Sequence, residues 1–418
     1  MADIGTMSAS LASEPIEAPS PVLVSRQPVL DARDRVVGYR IAYSLLNDGV
    51  PVMPTPLETM EIVDEVLTVI DESERALGNM AHLPLTREML ERREIPPVDP
   101  TQVLLRVPYE FMSSGALVPA IADAANRGYR LELDDLPGRG VNLEMLRIFH
   151  AVAIDLEKWS INDAAALLPH LRYRDTIALA TGIASHEQRD EAKQAGFQWF
   201  SGPFFCTPNM LGGEPMSVGD LQTIVELCRL QTGDVALEDL IAVIEQDLGL
   251  GVRLLKYMNS AYFGFAGRVK SITQAATMLG TRGLSRWALI AAALGESNPV
   301  SRELALTGLT RARACELVGA ERNASLDKDE LFTLGLLSTA DAVFRMPMEQ
   351  VVTELPLDED VVAALLERRG PAGEILKSVI AYEQGEFLAP SLSSLLIENS
   401  AAYRESLAWA RRAVYGMA

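Results

Sequence analysis

Apolar and polar positions change rhythm partway along the chain. From Val22 the pattern has period two: V-L-V-S-R-Q-P-V-L-D, then R-V-V-G-Y-R-I-A-Y, with a polar stretch at Asp31–Arg35 between them. It predicts two short strands joined by a turn. Thr59–Ile70 switches to helical spacing. Strands are then predicted over Gln102–Val107, Tyr129–Leu133, Ala151–Ile154 and Thr176–Ala180. The helices Val118–Arg127 and Glu187–Gln194 are each followed by a glycine, Gly128 and Gly196. Strands alternating with helices at this spacing predict parallel βα units. With about seven or eight such units, closure into a small (β/α) barrel is expected, and barrel chemistry sits at the C-terminal strand ends.

A Pro/Gly-rich stretch, Thr207–Ser217 (TPNMLGGEPMS), ends this rhythm. Beyond Val218 the spacing is helical: Leu221, Ile224, Val225 and Cys228 share one face, and Leu240, Ile241, Ile244 and Leu248 another. Leu331–Phe344, Val361–Glu367 and Glu374–Tyr382 continue it, with breaks at Pro347 and Pro356. Within Leu254–Gly280, a helix over Arg253–Tyr257 gives way to a tight loop at Asn259-Ser260. A second helix begins at Ser271, where Ser271 and Gln274 form a capping box, and stops at Gly280. Arg311 and Arg313 read as a solvated helix face. The division is a disordered tail over 1–20, a barrel over 21–209, a linker over 210–217 and a helical domain over 218–418. The fold class is α/β plus all-α.

Length supports two domains: the chain has 418 residues, 48% hydrophobic and 22% charged. The net charge of −20 is shared, with 18 Lys/Arg against 30 Asp/Glu in residues 1–210 and 19 against 27 in 211–418. Neither half offers the basic stripe that nucleic acid requires, and anionic membrane surfaces are disfavoured too. Cys206, Cys228 and Cys315 are far apart and read as reduced thiols. Residues 1–25 hold no Lys or Arg, and the apolar run Trp287–Leu294 is too short to span a bilayer. A cytoplasmic location is expected, without membrane insertion.

The order of residues in Leu254–Gly280 says more than its periodicity. L-L-K-x-x-N-S-A-x-F, a basic residue, S-I-x-Q-A and L-G closely resembles the HDOD domain, an all-helical signalling domain related to the HD phosphohydrolases. The resemblance continues weakly through Leu334–Asp341 and Ala381–Gly385. In the first half, R-Q-P-V-L-D…V-V-G-Y, G-Y-R-L-E-L-D-D-L and G-F-Q-W-F-S-G-P-F-F resembles the EAL domain in the form found ahead of HDOD domains. That implies a TIM-like barrel and, in active members, hydrolysis of cyclic di-GMP with two metal ions.

Carried over residue by residue, the EAL metal site looks degenerate. The Glu that names the family falls at Arg40, the next strand's Asn at Pro84 and the following Glu at Arg106. The Asp pair is kept as Asp134 and Asp135, which alone read equally as an acidic loop after a strand. The Lys of K-I-D falls at Ala153, ahead of Asp155. The Glu of A-E-G-V-E falls at Thr181, and the Gln of the late Q-G pair at Ser201. A guanidinium repels a metal rather than ligating it. Arg40 or Arg106 is instead expected to pair with one of the nearby aspartates.

The four histidines, His82, His150, His170 and His186, all precede residue 210, so the helical half lacks the ligands of an HD metal centre. They read as surface or satisfied structural residues. The cluster Tyr257, Tyr262, Phe263 and Phe265 reads as a core plug or as a partner-binding face, with Tyr262, Phe263 and Phe265 as anchors. The expectation is a non-catalytic signalling regulator without metal or cofactor, acting through other signalling proteins or self-association. The first alternative, not favoured, is a receptor that holds cyclic di-GMP or another nucleotide uncleaved through Arg40, Arg106 and Arg139. The second is a residual phosphodiesterase.

Overall fold

The computed structural model describes residues 22–70, 74–75, 78–137, 141–172, 175–209, 236–246, 254–255, 257–259, 269–293, 299–322, 327–355, 357–392 and 394–417. The expected tail over 1–20, linker over 210–217, helix Leu221–Leu230, Cys228, Arg139, Tyr262, Phe263 and Phe265 lie outside them.

Nine strands build the first half: β1 (Val22–Asp31), β2 (Val36–Asn47), β3 (Val50–Val52), β4 (Met80–Pro84), β5 (Val103–Pro108), β6 (Arg130–Asp134), β7 (Ala151–Asp155), β8 (Ile177–Thr181) and β9 (Trp199–Ser201). Their order is β1-β9-β8-β7-β6-β5-β4-β2-β3, and an added β1–β2 pairing closes an eight-stranded barrel with β3 on its edge. From β2 through β4 to β9 the barrel neighbours run parallel. Strand β1 stands outside the parallel units, running antiparallel to both β2 and β9, and the turn expected at Asp31–Arg35 joins it to β2. The Asp31 carboxylate accepts the Arg33 and Arg35 backbone N–H groups at 2.8 and 3.0 Å, so β2 folds straight back.

Among the described residues, the barrel's helices are α1 (Pro56–Leu67), α2 (Arg87–Arg92), α3 (Leu117–Asn126), α4 (Ile161–Arg172) and α5 (His186–Ala195). Successive side chains along a strand face opposite ways. Leu131 and Leu133 of β6 therefore join the core shared with the helices. Inside the barrel, Val29, Met80, Leu104, Ala151, Ala153, Leu179 and Trp199 form a separate apolar layer. Two residues further along their strands come His82, Arg106 and Asp155, so polarity begins directly above that layer.

The second half comprises α6 (Leu237–Gln246), α7 (Ile272–Ala293), α8 (Pro299–Arg322), α9 (Lys328–Leu337), α10 (Ala340–Phe344), α11 (Met348–Glu354), α12 (Glu359–Glu367), α13 (Gly370–Glu383) and α14 (Leu396–Met417). Helix α8 is central, packing against α9, α13 and α14. Its Arg311 is buried, which corrects the reading of a solvated face. Asn259 bridges to Val269 ahead of α7: its Nδ2 donates to Leu255 O and Val269 O at 2.7 and 2.9 Å, and its Oδ1 accepts from Val269 N at 2.8 Å. The cap of α7 differs slightly from expectation. Ser271 Oγ accepts from Gln274 N at 3.1 Å, but the Gln274 side chain reaches Lys270 N. Gly280 ends the first helical run, at φ +69° as expected of a left-handed cap, and a second run follows directly across this kink. Among the described residues, no helix is long and apolar enough to cross a membrane.

The halves meet along β1. Val24 N donates to Tyr382 Oη and Ser400 Oγ to Val22 O, each at 3.0 Å. Arg26, buried, pairs with Glu74 at 2.9 Å and Glu303 at 3.3 Å, and its guanidinium lies 3.9 Å from the Tyr39 ring centre. Tyr39 Oη lies 2.9 Å from Glu74 and 2.6 Å from Glu303.

Candidate functional site

The C-terminal ends of the parallel strands bring most of the sequence-derived positions together. Arg40 of β2 lies beside His82 of β4, Pro84 beside Arg106 of β5, Arg106 beside Glu132 of β6, and Asp155 beside Thr181. Asp134 is the centre. Its Oδ2 accepts from Arg40 Nη2 at 2.6 Å and from Arg106 Nε and Nη2 at 3.0 and 2.8 Å. Its Oδ1 accepts from Asp135 N at 3.0 Å. The expected arginine–aspartate pairing is therefore present twice over, converging on one carboxylate.

Glu132, one turn of the pleat below, was not singled out in the sequence. Its Oε1 lies 3.0 Å from Arg40 Nη1, and its Oε2 lies 2.6 Å from His82 Nδ1. The signal was available: in R-L-E-L-D, Glu132 and Asp134 stand two apart on the inward face. Gly38 makes room for His82, because a Cβ there would lie 2.8 Å from Nε2. Burial would raise the Asp134 carboxyl, but Arg40 and then Arg106 outweigh it and hold it well below the usual range. Burial likewise opposes ionisation of Glu132, and Arg40 and His82 hold its carboxyl low.

The remaining positions divide. Asp155 pairs with Lys158 at 3.1 Å rather than with an arginine, and Lys158 also lies 3.6 Å from Asp135. The hydrogen bond to Asp155 is the main reason the Lys158 ammonium titrates above its ordinary value. Ala153 belongs to the apolar layer beneath. Ser201 is buried, donating to Pro28 O at 3.0 Å, and the Pro84 carbonyl accepts from Tyr43 Oη at 3.3 Å. Among the other candidates, Tyr257 packs 6.5 Å from Trp287 between ring centres, a core role.

A cleft of about 300 Å³ opens at this mouth, with Arg40, Arg106, Asp155 and Thr181 among its lining residues. Two metal ions do not fit these residues. Asp134 already has both oxygens bonded, two guanidinium groups stand where cations would, and the described residues hold no group of three or more His, Cys, Asp or Glu placed to bind a metal.

Residues 216–354 match the HDOD domain. They lie behind the barrel that the EAL resemblance implies. Cyclic di-GMP phosphodiesterase CdgJ of Vibrio cholerae serotype O1 is 26% identical over 379 residues, 87% of this chain and 85% of that protein. YuxH of Bacillus subtilis (strain 168) is 25% identical over 93% of this chain and 98% of its own length. Among solved structures, the EAL enzyme Bd1971 in its cAMP- and cyclic-di-GMP-bound form is 13% identical with a TM-score of 0.35. That match covers 44% of this chain and 60% of that one. The expectation that the chain is not an enzyme is corrected by the first of these: a relative matched over most of both chains is a phosphodiesterase.

Proposed function

We propose that this chain works in cyclic di-GMP signalling in the cytoplasm, and that its output is contact with another signalling protein. The kinship to a cyclic di-GMP phosphodiesterase supports the pathway. The observation that carries the mode of action is the Arg40–Asp134–Arg106 cluster. The mouth keeps its carboxylates together with the chain's own side chains, so these strand ends hold their arrangement without a bound ion. In this reading the segment matched to the HDOD domain presents the partner surface. The test is capture of partners from the source cell by the full-length protein, with and without cyclic di-GMP. Reproducible capture of one signalling protein, altered by the nucleotide, is the expected result. Capture of none in either condition would overturn the reading.

A second reading is favoured by the same relative: the barrel itself turns over cyclic di-GMP. Incubation with Mg²⁺ or Mn²⁺ and separation of linear products decides it. Turnover that survives purification and is lost in Asp134→Asn would establish it.

A further inference from the structure

The mouth of the barrel is not built by the barrel alone. The cleft containing Arg40 and Arg106 is also lined by Gln384 and Glu386, which follow α13 in the helical half. The turn Gln384–Glu386 is seated on the strands rather than resting near them. Gln27 Nε2 of β1 donates to Gln384 O at 2.8 Å. Gly385, at φ +75°, comes so close that a Cβ would lie 2.6 Å from Ala42 Cβ and 3.1 Å from Ser25 Oγ. The turn closes on itself through Gly385 N to Tyr382 O at 2.9 Å and Glu386 N to Ala381 O at 3.0 Å.

The residue before the turn is fixed from the other side. Glu383 accepts two hydrogen bonds from the buried Arg311 of α8, and Arg311 Nη2 lies 3.9 Å from Cys206 Sγ, in the barrel's last turn. A displacement at the mouth is therefore felt at α8, around which the helical half packs.

We infer that the Gln384–Glu386 turn is a gate: seated, it narrows the barrel mouth, and a ligand as large as a cyclic dinucleotide must unseat it to enter. The cleft of about 300 Å³ stands at the lower end of small-molecule sites, which span roughly 300–1,000 Å³. Occupancy of the mouth and the seating of the turn are then linked, and the linkage is reciprocal: whatever shifts α13 changes affinity at the mouth by the same factor. The identity of the ligand rests on the proposed place in cyclic di-GMP signalling; the gate itself does not.

The experiment uses the full chain and two ways of loosening the turn. Gln27→Ala removes its anchor, and Gly385→Ala forces a Cβ against Ala42. Hydrogen exchange of the 385 and 386 amides reports whether the turn is loosened. Thr181→Cys, added to parent and variants, reports access to the mouth through the rate of maleimide labelling at that position, read by peptide mass spectrometry. Calorimetry with cyclic di-GMP reports affinity. The gate predicts about tenfold faster labelling and about tenfold tighter binding when the turn is loosened, within the usual range for coupled sites. Faster labelling with no nucleotide binding in any variant supports the gate and sinks the nucleotide reading. Unchanged labelling in variants whose amides exchange faster overturns the gate. So does unchanged exchange in both variants, since these contacts would then not hold the turn.

Discussion

Arg311 grips Glu383 with two parallel hydrogen bonds, Nε to Oε2 at 2.9 Å and Nη2 to Oε1 at 2.7 Å, across 72 residues of chain. Arg311→Ala leaves Glu383 half-buried without its partner, and such a loss costs about 3–5 kcal/mol. Urea unfolding measures it. A cost below about 1 kcal/mol would place the pair with exposed ion pairs.

At the mouth, Arg40 and Arg106 share Asp134 but are not equivalent. Arg40 also faces Glu132, whose side chain is 0% exposed, at 3.0 Å. Arg40→Ala thus takes one partner from each of two buried acids, leaving Asp134 with Arg106 and Glu132 with His82, and is expected to cost about 1.5–3 kcal/mol. Arg106→Ala leaves Arg40 in place and is expected to cost less. Equal denaturation midpoints for both variants and the parent would deny the cluster any part in stability.

Acid sensitivity follows from the same cluster. Asp134 and Glu132 both titrate below their ordinary values in the folded chain. Depressed carboxyls contribute stability in full above the unfolded values of about 4, and lose it as the pH falls through the folded ones. The parent should lose stability steeply below about pH 4. Asp134→Asn should start less stable and lose less over that interval. Parallel curves of stability against pH would show that Asp134 does not carry the acid response.

Asn259 makes three hydrogen bonds ahead of α7. Asn259→Ala should cost about 1–3 kcal/mol, because Val269 loses a partner at both its N–H and its carbonyl. Thermal unfolding of the two proteins side by side is the measurement. An unchanged midpoint would mean the fold holds without these bonds.

The barrel was legible because its strands alternate: apolar residues meet the helices on one face, and on the other polarity begins one step above the apolar layer. The mouth positions came from the EAL resemblance carried over residue by residue, and Arg40, Arg106 and Asp134 do converge. Glu132 is not among those positions, although R-L-E-L-D places it on the same inward face as Asp134. The burial of helix α8, read in the sequence as carrying a solvated face, was missed for a different reason. Leu304, Ala305, Leu309, Ala312, Cys315 and Val318 are buried, and so are Thr310 and Arg311, so no polar side marks the period of a surface helix. The hairpin of β1 and β2 was legible in the polar stretch Asp31–Arg35, but the pairing of β1 with β9 leaves no local pattern. The seat of Gly385 on Ala42 joins residues more than three hundred positions apart and leaves no local pattern.

Strand β1 also sets a timetable for synthesis. It pairs with β9 to close the barrel, yet Val22 O and Val24 N wait for Ser400 and Tyr382, 378 and 358 residues later. The barrel can close once Ser201 is made, and at about 5–20 residues per second it then waits roughly 10–40 s on the ribosome for these partners. Over that interval a nascent barrel holds one outer flank unsatisfied, a surface that a chaperone can occupy and that the last helices later displace. Truncations near residue 400 should therefore harm the first half of the protein as much as the second.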